Sequence, residues 1–167
     1  MQRLAATFLF LVVPVACATY GMWRSYLHRR LRDEALYAPL PACPRPDRTP
    51  DGLARYTGTT RDHNWIKRVT LGGVFGPGPC ALWIEGDGLI FARDRGPVVH
   101  LAPILAVGIE RGHAAQTAPA GRTLVVRWRH STADGAPAEL DTGFICGSRE
   151  ETGRLAERLR EVGQVQP

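Results

Sequence analysis

Apolar and polar positions along the chain follow three successive patterns. Residues 4–23 form an uncharged, largely apolar run, and residues 38–52 contain five prolines and no hydrophobic period. From residue 53 onward, apolar residues alternate with polar ones in short runs. Near the end, apolar residues recur at i, i+4 and i+7: Leu155, Leu159 and Val162. This order predicts an apolar helix, a stiff extended linker, a set of strands and one amphipathic helix.

The apolar run predicts a membrane anchor. A helix of twenty residues spans about 30 Å, which matches the hydrocarbon core of a bilayer. We therefore expect residues 1–23 to form a transmembrane helix, with Pro14 tolerated inside it. One arginine precedes the run, whereas four follow it within ten residues: Arg24, Arg29, Arg30 and Arg32. The positive-inside rule then predicts a single-pass protein of the cell membrane with its C-terminal part in the cytoplasm.

Two other interpretations of this segment stay open. Ala16-Cys17-Ala18 has the small-x-small pattern of a signal-peptide cleavage site, and Val15-Ala16-Cys17 weakly matches a lipoprotein signal. Against cleavage, the apolar run continues to Trp23, and the arginines that follow oppose translocation of the rest of the chain. We therefore favour the uncleaved anchor.

The chain is basic, but the distribution of its charges argues against nucleic acid as a partner. The chain has 21 basic and 16 acidic residues, a formal net charge of +5. Residues 35–167 hold 16 of the basic and 14 of the acidic residues, so this part is nearly neutral at +2. The basic excess lies beside the apolar run, where cations favour anionic headgroups. We expect the lipid bilayer to be a partner and predict no nucleic-acid partner.

The region after residue 52 predicts a mainly β domain. Short β-branched or aromatic runs are bounded by turn residues, and Gly86-Asp87-Gly88 marks a tight hairpin. The predicted strands cover about 53–60, 66–71, 80–85, 89–93, 98–101, 104–109, 123–129 and 140–146. In the seventh, Val126 and Trp128 should face the core while Arg127 and Arg129 face outward. A capping box at Ser148 to Glu151 then starts a C-terminal helix that should close the open end of an antiparallel barrel or sandwich.

No catalytic centre, cofactor or metal site is predicted. The five histidines are scattered, no G-x-S-x-G is present, and the Gly/Pro-rich loop 72–79 lacks the Lys-Ser/Thr of a P-loop. The four cysteines show no C-x-x-C spacing, and Cys80 and Cys146 are expected to be small core residues. Asp62-His63 is a polar pair for which a solvated loop is the preferred explanation.

Several motifs resemble those of bacterial PH-like domains in single-pass actinobacterial membrane proteins. They are Tyr56-x-Gly-Thr-Thr, Leu82-x-Ile-x-Gly-Asp-Gly-Leu-Ile-Phe, Val99-His-Leu-Ala-Pro-Ile104, Leu124-Val-Val-Arg-Trp128 and Thr142-Gly-Phe144. The resemblance implies a PH-like barrel or sandwich of about seven strands with a C-terminal helix, and no catalysis. It divides the chain into the transmembrane helix 1–23, a basic juxtamembrane segment and Pro-rich linker 24–52, the PH-like domain 53–163 and a tail 164–167.

The resemblance also implies a class of function. It implies a membrane-anchored interaction module that tethers or regulates a cytosolic protein partner, with a link to pyrimidine biosynthesis resting on the resemblance alone. Candidate partner contacts are Arg61, Lys67, Arg68, Arg127 and Arg129, while Arg24, Arg29, Arg30 and Arg32 are expected at the membrane surface. The alternatives are an anionic-lipid-sensing domain, or an accessory subunit of a membrane or biosynthetic complex. The loop after Arg61 is too poor in cations to carry over the phosphoinositide site of eukaryotic PH domains.

Overall fold

Strands and helices follow one another in the predicted order. The structure, a computed structural model, describes residues 2–41, 43–70, 76–94 and 96–163, with the side chains of 2–11, 65 and 66 outside the description. The elements within it are α1 (Gln2–Leu36), β1 (Gly52–Arg61), β2 (Asn64–Val69), β3 (Gly78–Glu85), β4 (Gly88–Ala92), β5 (Val98–Leu101), β6 (Ile104–Glu110), β7 (Gly112–His113), β8 (Gln116–Thr117), β9 (Thr123–Ser131), β10 (Pro137–Cys146) and α2 (Arg149–Gly163).

The main sheet is antiparallel and open. Its strand order is β5-β4-β3-β1-β10-β9-β6, with β2 paired to β1, while β7 and β8 form a separate hairpin. The expected mainly β fold with a C-terminal helix is confirmed, but the sheet does not close into a barrel. Pro97 and Pro103, which lack N–H donors, bound the short strand β5. Helix α2 packs on β6 and also touches β4, so it covers the opening that strand pairing would otherwise close.

Alternation along the strands places the core as expected. On β9, Leu124, Val126 and Trp128 are buried, whereas Arg129 is exposed and Arg127 is half-buried. A chain of hydrogen bonds crosses the interior: Trp128 Nε1 donates to Thr142 Oγ1 at 3.0 Å, and the hydroxyl groups of Thr142, Thr59 and Tyr56 are linked in turn at 3.0 and 3.1 Å. These bonds give the buried polar atoms hydrogen-bond partners, without which their burial would be unfavourable.

Helix α2 begins at the predicted cap. The Glu151 amide donates to Ser148 Oγ at 3.0 Å, and Glu151 Oε2 accepts from the Gly147 amide at 3.1 Å. Its inner face buries Leu155, Ala156 and Leu159 completely. The amphipathic period of the sequence therefore corresponds to the face that covers the sheet.

The segment expected to be a free spacer lies against the domain. Trp83 Nε1 donates to the Arg48 carbonyl at 2.9 Å, and the Arg45 guanidinium stands 5.6 Å from the centre of the Trp83 rings. Asp51 accepts from the Ile84 amide and pairs with Arg48 and Arg158. The prolines keep the chain extended, and these polar contacts fasten it to the outer face of β3.

The end of α1 is also part of the domain. Asp33 is 1% exposed, and its Oδ2 accepts from the Thr70 amide at 2.8 Å. Tyr37 is buried in the core and forms an isolated β-bridge with Thr132, while the Ala133 amide donates to the Leu36 carbonyl at 2.9 Å. Helix and sheet are therefore joined by a buried, hydrogen-bonded junction.

The predicted anchor falls only partly within the described side chains. Residues 1–11, which include the start of the apolar run, lie outside them. Among the helices that the described residues form, none is long and apolar enough to cross a membrane.

Candidate functional site

A polar pocket lies on the outer face of the sheet, beneath the β7–β8 hairpin. Its volume is about 400 Å³, within the range of small-molecule sites. Residues from the ends of β1 and β6, from the hairpin, and from β9 and β10 line it: Thr60, His63, Glu110, Arg111, Gly112, His113, Gln116, Thr117, Val125, Arg127 and Asp141. We call this the polar pocket.

Asp141 organises the floor of the polar pocket. Its carboxylate is 7% exposed, and each oxygen has one partner: Arg127 Nε donates to Oδ1 at 3.0 Å, and His63 Nδ1 donates to Oδ2 at 2.9 Å. A carboxylate this buried needs such partners, since an unpaired charge would be strongly unfavourable there. In return it fixes the orientation of the Arg127 guanidinium and of the His63 ring.

His113 fastens the β7–β8 hairpin over the same strands. Its Nε2 donates to the Asp141 carbonyl at 3.1 Å and lies 3.4 Å from Thr60 Oγ1. The ring fits because Gly143 has no side chain: a Cβ there would stand 2.5 Å from His113 Cδ2 and 2.5 Å from Thr57 Oγ1. Burial lowers the pKa of His113, an effect that the nearby Asp141 only partly offsets. The hairpin is thus held by a neutral, buried imidazole.

The two turns beside the pocket hold non-glycine residues in left-handed conformations. Asp62 and His63 have φ of 57° and 52° in the β1–β2 turn, and Ala114 and Ala115 have φ of 50° and 59° in the β7–β8 turn. These angles match two-residue type I′ turns, for which Asn-Gly is the usual choice. Each such residue costs about 1–2 kcal/mol. The contacts of His63 and the burial of Ala114 hold the turns in place.

The polar pocket combines paired charged groups with one oriented imidazole. His63 Nδ1 is paired with Asp141, and its other ring nitrogen, Nε2, lies 3.8 Å from Glu139 Oε2. A histidine whose ring is held by a carboxylate in this way has the orientation of a general base. Among the described residues that line the pocket, the hydroxyl groups are those of Thr60 and Thr117, and there is no serine or cysteine. Within the described part of the chain, no group of three or more His, Cys, Asp or Glu is arranged to hold a metal ion.

The five candidate partner contacts have different surroundings. Arg127 is in the polar pocket, and Arg68 Nη2 donates to the Ala114 carbonyl beneath the hairpin. Lys67 Nζ pairs with Asp62 at 2.9 Å, and Arg61 Nε lies 3.9 Å from the same carboxylate. Arg129 is exposed and has no side-chain partner among the described residues. Their role as partner contacts stays a prediction.

The four arginines of the predicted membrane-surface set separate into two pairs. Arg30 pairs with Glu34 at 2.6 Å and Arg32 with Asp33 at 2.7 Å. Arg24 and Arg29 are exposed and have no ion-pair partner among the residues that the structure describes. The positive field of α1 is therefore concentrated on Arg24 and Arg29.

Cys80 and Cys146 lie in the core, as expected of small apolar residues. Both are buried, and they stand opposite Ala54 on the two neighbouring strands of β1. Burial raises the pKa of Cys80 to about 12 and also raises that of Cys146. Thiols of this kind are poor nucleophiles because the thiolate is rarely formed.

The sequence did not point to most of the polar pocket. Asp141 sits in a predicted alternating strand, and His113 falls between the predicted strands 104–109 and 123–129, where no element is predicted. The available signals were Gly58 and Gly143, which face each other in β1 and β10. A glycine inside a strand often marks a close approach of another segment, which here is the β7–β8 hairpin.

One family model matches the chain. The bacterial PH domain-like family matches residues 35–160, about three quarters of the sequence and nearly all of the sheet together with α2. The match begins at the end of α1, where the helix enters the core. No curated protein and no solved structure gives a significant match. With its open antiparallel sheet and covering C-terminal helix, the chain belongs to the bacterial PH domain-like family.

Proposed function

We propose that the chain is a membrane-tethered PH-like module that holds a protein partner beside the bilayer. Membership of the bacterial PH domain-like family suggests a non-catalytic interaction module. The resemblance to actinobacterial single-pass membrane proteins supports the tether. Concentrating a partner at the membrane raises its effective concentration there and needs no chemistry from the module itself.

The buried junction between α1 and the sheet carries this proposal. Asp33 and Tyr37 fix the last turns of the helix to the domain, so the helix is an outward extension of the fold. Before the arginines, its apolar side chains are exposed and meet no core residue: Val12, Val13, Val15, Tyr20, Met22 and Trp23 are 41–65% exposed. Exposed apolar side chains need a covering medium, and the proposal takes it to be a bilayer because, in the sequence, residues 12–23 continue the uncharged run that begins at residue 4.

The proposed orientation places the domain in the cytoplasm. Four arginines follow the apolar run and one precedes it, which by the positive-inside rule keeps the C-terminal side inside. Protease added to intact spheroplasts should leave the domain uncut under this proposal. Digestion of the domain from outside would reverse the orientation.

The proposed tether is tested by two matched substitutions in the full chain. V13D/V15D places two charges in the exposed apolar run, and we expect it to move the chain from the membrane to the soluble fraction. Leu53→Asp adds a charge at another exposed apolar residue, 66% exposed on β1, and should leave the chain in the membrane fraction. If V13D/V15D stays membrane-bound after alkaline carbonate extraction, the anchor is not this helix.

The proposed partner surface includes Arg129, which is exposed and unpaired within the described residues. A photo-crosslinking amino acid at this position in native membranes should capture a discrete protein. The same group at Arg154, on α2, provides the control for non-specific capture. An identical set of captured proteins at both positions would argue against this surface, while the link to pyrimidine biosynthesis predicts the process from which the partner comes.

A second candidate function is anionic-lipid sensing. The observation that favours it is that Arg24 and Arg29 lack acidic partners among the described residues, whereas Arg30 and Arg32 have them. Unpaired cations beside a membrane attract anionic headgroups with about 1 kcal/mol each. Binding of arginine variants to anionic vesicles separates this candidate from the first.

A further inference from the structure

We propose that the polar pocket binds a small zwitterion, a molecule of amino-acid or dipeptide size that carries one carboxylate and one ammonium group. This inference does not depend on membrane tethering, since none of the residues that line the pocket belongs to α1. It rests on three features of the lining: an oriented guanidinium, an acidic group of opposite charge nearby, and balanced charge overall.

Arg127 provides the site for a carboxylate. Its Nε is used by Asp141, and the two terminal nitrogens of the guanidinium have no described protein partner. A guanidinium held in this way offers a preorganised fork that matches a carboxylate. Arg111, exposed at the edge of the pocket, adds a second cation for the same group.

Glu110 provides the site for an ammonium group. Burial and the neighbouring Asp141 carboxylate raise the pKa of Glu110, whereas Arg127 lowers it. The Glu110 carboxylate is therefore close enough to Asp141 and Arg127 to interact with both charges. Asp141 already has two partners, and no hydrogen bond or ion pair holds the Glu110 carboxylate within the described chain. Glu110 is thus the acidic group that remains available to a ligand.

The charge balance of the lining selects between ligand classes. Two arginines face two carboxylates, with His113 held neutral by burial. A simple anion would add a third negative charge next to Glu110 and Asp141, and a simple cation would add a third positive charge next to Arg111 and Arg127. A zwitterion adds no net charge and offers each free group a partner of opposite sign.

The size and the roof of the pocket fit a short peptide-like molecule. Its volume of about 400 Å³ accommodates a dipeptide. Gln116 and Thr117 bring an amide and a hydroxyl group from the β7–β8 hairpin, which suit the hydrogen-bonding groups of a peptide bond. Val125 adds an apolar patch to the floor.

Three matched probes test the inference on the full chain. Glycylglycine carries both charges, N-acetylglycylglycine only the carboxylate, and glycylglycinamide only the ammonium group. Saturation-transfer NMR titrations should give a dissociation constant for glycylglycine at least tenfold lower than for either blocked probe. Equal binding of all three probes, or no binding of glycylglycine at 20 mM, would overturn the inference.

Glu110→Gln separates a binding role from a structural one. It should weaken glycylglycine about tenfold, because only this probe carries the ammonium group, and it should not weaken N-acetylglycylglycine, whose carboxylate would no longer be repelled by Glu110. Glu85→Gln, an exposed change in the β3–β4 hairpin, should affect neither probe. A parallel loss for both probes in Glu110→Gln would mean that the pocket is merely disturbed. Membrane fractionation of the same samples tests the tether, so either proposal can fail without the other.

Discussion

At the scale of single residues, close packing around one glycine decides where the β7–β8 hairpin lies. The His113 ring occupies the space in which Gly143 lacks a side chain, and both Asp141 oxygens are committed next to it. The polar pocket therefore exists because a strand interior contains a glycine in place of a β-branched residue.

Gly143→Ala should displace the hairpin. The added Cβ would come within 2.5 Å of His113 Cδ2 and of Thr57 Oγ1, neither of which is the free end of a flexible side chain. We expect a loss of about 1–3 kcal/mol in the free energy of unfolding, measured by urea denaturation. Gly153→Ala is the matched control, since nothing lies within 4 Å of a Cβ at this position of α2. The control should be neutral or stabilising by up to about 1 kcal/mol, and a similar loss in both variants would contradict the packing argument.

The buried imidazole of His113 should make stability depend on pH. Burial lowers its pKa in the folded chain, so between that value and the ordinary histidine value near 6.5 the unfolded chain binds more protons. The free energy of unfolding should therefore fall as the pH drops below about 6.5, by at most about 1.4 kcal/mol per pH unit for one proton.

Comparison with His113→Gln isolates this contribution. The amide keeps a donor for the Asp141 carbonyl but does not titrate, so its stability should be lower at neutral pH and flatter between pH 7 and pH 5. His28→Gln, an exposed change on α1, should retain the pH profile of the natural chain. If His113→Gln keeps the full slope, another group is responsible.

At the scale of elements, alternation and turn chemistry were sufficient to predict the eight strands of the main sheet. The β3–β4 turn at Gly86-Asp87, the short strand β5 and the Ser148 cap lie where period and turn residues indicate. Two features needed three-dimensional information. The β7–β8 hairpin turns at Ala114-Ala115, a pair that carries no turn signal. Arg48 and Asp51 bond to β3 although they lie in a segment whose composition predicts only a stiff extended linker.

The junction at the end of α1 should contribute substantially to stability. Tyr37, which directly follows α1, is 5% exposed within the core, whereas Tyr20, inside α1, is 58% exposed. We expect Tyr37→Ala to lower the free energy of unfolding by about 3 kcal/mol and Tyr20→Ala to leave it within about 0.5 kcal/mol. Thermal unfolding of the full chain in detergent measures both. Similar values for both variants would mean that the helix end is not part of the folding unit.

At the scale of the whole molecule, the basic excess lies on α1 and the domain is nearly neutral. Residues 35–167 carry a net charge of +2. Within α1, the ion pairs to Glu34 and Asp33 leave Arg24 and Arg29 as the unpaired arginines of the predicted membrane-surface set, among the described residues. Any attraction to an anionic surface should therefore come mainly from Arg24 and Arg29. This distinction allows lipid sensing to be tested apart from simple tethering.

R24Q/R29Q and R30Q/R32Q remove the same formal charge from different surroundings. In the V13D/V15D chain, which lacks the apolar attachment, we expect R24Q/R29Q to reduce co-sedimentation with phosphatidylglycerol vesicles about 30-fold, at about 1 kcal/mol for each arginine. R30Q/R32Q should reduce it less, because Glu34 and Asp33 already offset those charges.

Binding should fall as salt is raised from 0.1 to 1 M, since screening shortens the reach of the charges from about 10 to 3 Å. Equal losses in the two variants, or binding that phosphatidylcholine vesicles match, would exclude lipid sensing through the unpaired arginines. The arginines would then only set the orientation of the chain in the membrane. The proposed function would remain that of a membrane-tethered interaction module, which accounts for both the buried junction and the nearly neutral domain.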